Sequence, residues 1–229
     1  MPIVNRLLEF LPRDARNGFL EGCEPVSLTF GTVLCERGRA YRHVYFPLGG
    51  FMSYVATVGS HPPLEIALIG NEGMLGATLV LGVNTARLQG IVQGPGTAWR
   101  MPASRFRRAL GESPVLRGVV RRYLYVVLTQ LSQSTACSRF HDAEARLARW
   151  LLLTHDRAHS DRFELTHQYL GDMLGVRRSA VTIAAGALQR RNLIRYTRGR
   201  IEVVDRKGLE AASCECYETA IGDYERLFD

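Results

Sequence analysis

Hydrophobic and polar positions change their period three times along the chain. Over residues 2–22 the apolar positions Leu7, Leu8, Leu11 and Phe19 predict a short helical opening. From Val26 to Met101 short apolar or alternating runs follow: VSLTF, HVYFPL, FMSYVATV, EIALIG, GIVQG and TAWRMP. They are divided by Gly31, Gly38, Gly49–Gly50, Gly59, Gly70, Gly73, Gly76, Gly82 and Gly94–Pro95–Gly96, a texture that predicts an all-β sandwich or barrel-like roll. After Pro102 the glycines thin out, and residues 114–140 read as one long helix. Its stripe of Leu116, Val120, Tyr123, Val127, Leu131, Ser134 and Phe140 or Cys137 keeps a spacing of three and four, with Arg117, Arg121 and Arg122 opposite. Such a face is ordinarily core packing. At this length it predicts a homodimer seam formed by Leu116, Val120, Tyr123, Val127 and Leu131. A second helix near 142–155 buries Leu147, Trp150, Leu151 and Leu153. The expected fold class is α+β, with an N-terminal β-roll over 1–113, a dimerisation helix and hinge over 114–141, and a third unit over 142–229. The hinge falls at Arg139–Asp142.

The third unit carries the most specific pattern. Thr166 can cap a helix with apolar members Tyr169, Leu170, Met173 and Leu174, and Gly175 breaks it. A second helix over 177–191 turns Val181, Ala184, Ala185 and Leu188 inward. Gly171 stands four residues before Gly175 and Val181 six after it. In a helix-turn-helix the first small residue lets the helices cross closely, the turn glycine takes a positive φ, and the later apolar residue locks the second helix down. Leu193–Tyr196 and Ile201–Val204 then alternate like strands around an Arg198–Gly199 turn, which completes a winged helix. The candidate DNA-binding side chains are Thr166, Gln168, Arg177, Arg178, Ser179 and Thr182 around the second helix, with Arg198 and Arg200 on the wing.

Charge sharpens this picture. The formal net charge is +7, and Lys207 is the only lysine among 29 basic residues. Arginine suits planar recognition of phosphates and guanine edges. Residues 165–200 hold seven arginines against the single acid Asp172; residues 100–122 also hold seven, against Glu112, and read as a solvated helix face. Apolar runs are interrupted before ~18 residues, and the first residues lack a signal-like apolar stretch, so a cytoplasmic protein without membrane contact is expected. Five cysteines at uneven spacing fit reduced thiols.

A glycine-punctuated roll, a long helix and a C-terminal winged helix, in that order, resemble the Crp/Fnr family of bacterial transcription regulators. The resemblance implies a homodimer that reads a palindromic site in double-stranded DNA, a roll that senses a small molecule, and RNA polymerase as a further partner. Where the family's reading helix commonly starts R-E-T-V, this chain has Arg178, Ser179, Ala180 and Val181. Arg178 keeps the guanine contact, Ser179 replaces a glutamate, and Ile183 replaces a further arginine of the cyclic-AMP receptor. GMLGATLVLGVNTARLQG resembles the segment that holds the nucleotide in cyclic-AMP-binding members, with Gly76 and Arg87 at the required separation. The glutamate position is Ala77, however, the residue after Arg87 is Leu88, and a base-contacting threonine aligns with Leu131 next to Ser132. The candidate effector pocket is therefore Gly76, Ala77, Thr78, Arg87, Leu88, Leu131 and Ser132. Three lost polar partners at roughly 1–3 kcal/mol each would remove most of a micromolar affinity. Cyclic AMP is thus not the expected effector, and Arg87 either binds another anion or pairs with a carboxylate. The alternatives are a cyclic-nucleotide-responsive regulator with a rearranged pocket, and a ligand-binding module whose basic domain docks on a protein.

No cofactor or metal is expected. The early cysteines are only Cys23 and Cys35, too few for the family's N-terminal iron-sulfur cluster. His43, His61 and Cys35 are the candidates for a haem ligand, although a roll histidine is more often a surface or core residue. His155 and His159 have helical zinc spacing without the glutamate of H-E-x-x-H. Cys214 and Cys216, on an expected C-terminal helix, should diverge as i, i+2 neighbours and carry no role. There is no G-x-S-x-G elbow, Walker loop or G-x-G-x-x-G after a strand, so nothing points to an enzyme.

Overall fold

The computed structural model describes residues 4–228. The helical opening is two short helices, α1 (Arg6–Glu9) and α2 (Arg13–Leu20); positions 2 and 3 of that expectation lie outside the described residues. Buried Asn5 fastens this segment to the roll: its carbonyl oxygen accepts from Leu8 N, and its amide donates to Pro47 O and Gly73 O.

Strands β1 (Glu24–Leu28), β2 (Val33–Cys35), β3 (His43–Ala56), β4 (Leu64–Ile69) and β5 (Gln89–Pro102) form one antiparallel sheet in the order β1-β5-β3-β4, with β2 also on β5. Four runs expected as separate strands fuse in pairs: HVYFPL and FMSYVATV make β3, and GIVQG and TAWRMP make β5. The glycines between them are bulges inside continuous strands, where the pairing register shifts between Pro47 and Met52. A Cβ on Gly96 would lie 2.0 Å from Gly49 O, so only glycine lets the bent strands approach this closely. A short 3-10 turn (Ala77–Leu81) and α3 (Ala103–Glu112) close the roll over Phe19, Phe46 and Phe106, which pack edge to face.

Helix α4 (Pro114–Phe140) starts with the expected chemistry, Ser113 accepting from Leu116 N and proline in the first turn. His141 and Asp142 are extended, and Asp142 caps α5 (Ala143–Ala158) through Ala145 N. Next come β6 (Arg162–Glu164), α6 (His167–Leu174), α7 (Arg178–Arg190), β7 (Ile194–Thr197), β8 (Arg200–Val203), α8 (Arg206–Ala212) and α9 (Cys216–Phe228). Strands β6, β8 and β7 form a separate antiparallel sheet in that order.

The long helix is rotated relative to expectation. Leu116, Val120 and Tyr123 are buried in the protomer's own core, with Val119 and Val126 beside them. These three positions of the expected dimer seam therefore lie on the face that α4 packs against the roll, as an apolar face ordinarily does, while Val127 and Leu131 are half-buried. The free face carries Tyr125 and Leu128, 57% and 59% exposed, followed by Ser132 and Thr135. The hydroxyls of Ser132 and Thr135 bond back to Leu128 O and Leu131 O, which leaves this face less polar than its composition suggests.

Helix α5 is buried on more than its expected side. Leu147, Leu151 and Leu152 belong to the winged-helix core, which also takes in Phe51 and Leu68 of the roll. Trp150 Nε1 donates to Glu65 Oε1 on β4 at 2.7 Å, and Ser53 Oγ donates to Glu65 Oε2 at 2.8 Å. Arg157 donates to Glu72 through Nε and Nη2 at 2.8 and 2.7 Å, with side chains only 8% and 16% exposed. Replacing Glu72 with alanine leaves that guanidinium buried and unpaired. Glu72→Ala should cost roughly 3–5 kcal/mol in denaturant unfolding. Packing around Glu65 raises its carboxyl pKa, against the opposing bonds from Ser53 and Trp150. A raised carboxyl favours the folded state at low pH and loses that contribution as pH rises through the folded pKa. Glu65→Gln should therefore raise the melting temperature near pH 7 and leave it nearly unchanged in acid.

Candidate functional site

The helix-turn-helix geometry follows from its sequence. Thr166 Oγ1 accepts from Tyr169 N, Gly175 takes φ +65°, and Val176 N donates to Gly171 O. A Cβ on Gly171 would sit 2.9 Å from Val176 O, so the small residue permits the close crossing of α6 and α7. Val181, Ala184, Ala185 and Leu188 are buried as anticipated. Arg177 caps α7 without a side-chain bond, and Arg177, Arg178, Ser179 and Thr182 are all exposed on its leading half. Ile183, 71% exposed, continues this face. Thr166 and Gln168 are exposed on the neighbouring helix, with Gln168 Nε2 donating to Asp172. The wing turn has Arg198 at φ +48° and Gly199 at φ +82°, the two positive angles of a tight hairpin.

The arginines of this surface divide into two sets. Arg162 and Arg195 share Glu202, whose carboxyl their hydrogen bonds and charges pull down, while Arg200 pairs with Glu164 and Arg191 with Glu144. The guanidiniums of Arg177, Arg178 and Arg198 have no hydrogen-bond or ion-pair partner among the described residues. Thr182 is less free than expected. Its hydroxyl donates to Arg178 O and contacts His167 Nδ1 at 2.9 Å, while the His167 ring stacks on Tyr196 at 4.1 Å. Burial and the Arg178 charge hold His167 below the ordinary histidine range.

The sensor segment lines a cavity of about 470 Å³ between the roll and α4. Ala77, Thr78, Arg87, Leu88 and Leu131 reach it; Val127, expected in the dimer seam, also lines it. Gly76 stands behind the wall with φ +96°, and its N–H donates to Tyr54 Oη at 2.9 Å. Ser132 departs from expectation: it is exposed and does not line the cavity, because its helical position turns it to the free face of α4. Tyr41 and Tyr54 are among the unforeseen members. Burial raises both phenols, and Thr78 Oγ1 contacts Tyr41 Oη at 3.5 Å, so the polar atoms of the wall largely satisfy one another. Arg87 is exposed and has no carboxylate partner among the described residues.

One group of metal-ligand type exists among the described residues: Cys137, His141, Cys214 and Cys216. Cys214 precedes α9 and Cys216 begins it, so the two thiols do not share a helix and are free to converge. The Cys137–Cys214 contact and the Arg149 charge lower the Cys137 thiol, while the same contact and burial raise Cys214. The haem candidates are not gathered in this way; His61 is exposed, and burial pushes the Cys35 thiol up to about 11. His155 is engaged by Asp161 and Arg206, and His159 ends α5 at φ +50°.

A β-roll joined by a long helix to a winged helix-turn-helix defines a transcription-regulator fold with a DNA-binding domain. Residues 145–212 match the Crp-like helix-turn-helix domain family. Solved structures extend the likeness over most of the chain. FixK2 from Bradyrhizobium japonicum superposes with a TM-score of 0.69 at 15% identity, over 84% of this chain and 98% of its own. A Crp/Fnr-family regulator from Thermus thermophilus gives 0.68 at 22% identity, over 85% and 98%. The c-di-GMP responsive regulator CLP from Xanthomonas campestris gives 0.68 at 14% identity, over 84% and 99%. No curated protein matches the sequence. Among the described residues no helix is long and apolar enough to cross a membrane.

Proposed function

We propose that the protein is a homodimeric, sequence-specific DNA-binding transcription regulator whose roll responds to an effector other than cyclic AMP. The observation that carries this reading is the outer face of α7, where Arg177 and Arg178 stand unpaired beside Ser179 and Ile183, with unpaired Arg198 on the wing. Arg178 suits a guanine edge, Ile183 a thymine methyl group, and Arg198 a phosphate. In a dimer the two α7 helices would meet half-sites ~34 Å apart, and the site would be palindromic. Sequencing the genomic fragments retained by the ligand-free protein at near-physiological salt should yield such a palindrome. Arg178→Ala should lose roughly 1–3 kcal/mol on that site and little on scrambled DNA; Arg198→Ala should weaken both and reduce the salt slope by about 1. Retention insensitive to salt would favour docking on a protein instead.

The free face of α4 supports the dimer reading, because Tyr125 and Leu128 are large side chains exposed at helical spacing on a helix otherwise packed inward. On this reading the seam is centred on Tyr125 and Leu128, beside the residues that the apolar stripe suggested. Leu128→Asp should convert the dimer into a monomer in sedimentation and weaken operator binding, whereas a control substitution at exposed Val58 should not.

The pocket favours an effector more apolar than a nucleotide. Leu81, Val83, Leu88, Leu124 and Leu131 form much of its wall, and Arg87 and Arg121 are its cations. The fold also serves a c-di-GMP responsive regulator, so it does not by itself specify cyclic AMP. Calorimetry should show no cyclic AMP binding at micromolar concentrations. Any effector must bind one orientation of the winged helices better than another, since equal affinity shifts nothing. This reading includes no catalytic step.

A further inference from the structure

Three cysteines and a histidine that are distant in sequence converge where α4 ends and α9 begins. Cys137 is fully buried in the last turn of α4, His141 follows that helix, and Cys214 and Cys216 flank the entry to α9. All four ligand atoms lie within 4.8 Å of one another. Cys137 Sγ and Cys214 Sγ are 3.6 Å apart, and Cys216 Sγ and His141 Nδ1 are 3.5 Å apart. A tetrahedral zinc ion with Zn–S of ~2.3 Å and Zn–N of ~2.0–2.1 Å has an S···S edge of roughly 3.8 Å and an S···N edge of roughly 3.5 Å. The two contacts have the dimensions of those edges.

The surroundings suit a charged cluster. Gln133 Nε2 donates to Cys216 Sγ at 2.9 Å. Glu215 Oε1 stands 3.2 Å from His141 Nε2, the ring nitrogen turned away from the sulfurs, which is the carboxylate–histidine–metal arrangement. Three thiolates and one divalent cation carry a net negative charge. Arg149, whose Nε is buried with no hydrogen-bond partner among the described residues, supplies a positive charge acting on Cys137.

We propose that Cys137, His141, Cys214 and Cys216 bind one zinc ion per protomer as a Cys3His site. On binding, the thiol protons leave to solvent and no redox change occurs. The ion ties the extended link at His141 to the start of α9, so its occupancy restrains the junction about which the winged helix would turn. Because the four ligands assemble only in the folded chain, metal stabilises that fold.

The test is anaerobic titration of the reduced, chelator-stripped full-length protein with Co²⁺. The expected result is saturation at one ion per protomer, with the strong visible bands of a tetrahedral site and thiolate charge transfer in the near ultraviolet, both abolished by Zn²⁺. Glu215→Gln should keep the spectrum and weaken Co²⁺ binding ~10–100-fold. Cys214→Ser should remove the tetrahedral spectrum, whereas Cys23→Ser should bind as the parent does. Absence of saturable tetrahedral absorption from the parent protein overturns the proposal, and so does a spectrum unchanged in folded Cys214→Ser. If Cys214→Ser does not fold, the parent and Glu215→Gln titrations decide the question.

Discussion

Helix α5 is the part on which the two halves of the molecule depend. It contributes Leu147, Leu151 and Leu152 to the winged-helix core and faces the roll with Trp150 and Arg157. The Arg157–Glu72 pair is nearly inaccessible, so separating the halves must either rehydrate both charges or strand one of them. The turn of the helix-turn-helix is also held, since a Cβ on Gly175 would meet Leu64 of β4 at 2.8 Å. Orientation of the reading helix is thus a property of the roll surface as much as of the winged helix. Polar contacts of this kind favour a particular arrangement while adding little net stability.

Charge is organised by pairing. Arg162, Arg191, Arg195 and Arg200 are neutralised by acids of the wing sheet or of α5 and hold side chains in place. The guanidiniums of Arg177, Arg178 and Arg198 stand at the leading end of α7 and at the wing turn, where a phosphate backbone can reach them. This division leaves available cations on the surface that the leading end of α7 and the wing turn present.

The roll shows the opposite economy. Its cavity keeps a cation in Arg87, yet Tyr41, Tyr54 and Thr78 spend their polar atoms on one another and on Gly76 N. Leu81, Val83, Leu88, Leu124 and Leu131 make the rest of this wall largely apolar.

Local rules made the winged helix legible from sequence. Thr166, Gly171, Gly175 and Val181 act over a few residues through capping, close crossing and a positive φ, so their spacing alone identifies the motif. The outward placement of Arg178 and the Arg198–Gly199 turn follow in the same way. The roll was legible as a class, but not its strand count, because glycines that usually end strands here bend continuous ones where two backbones meet. The apolar stripe of α4 could not announce its partner, since a core and a dimer seam demand the same periodicity; contact with the roll decided it. The meeting of Cys137 and His141 with Cys214 and Cys216 was beyond sequence reasoning, because it requires α9 to fold back along α4. Sequence by itself determined what depends on near neighbours, and tertiary structure alone decided which distant surfaces share a face, since packing is set by shape and burial rather than by order along the chain.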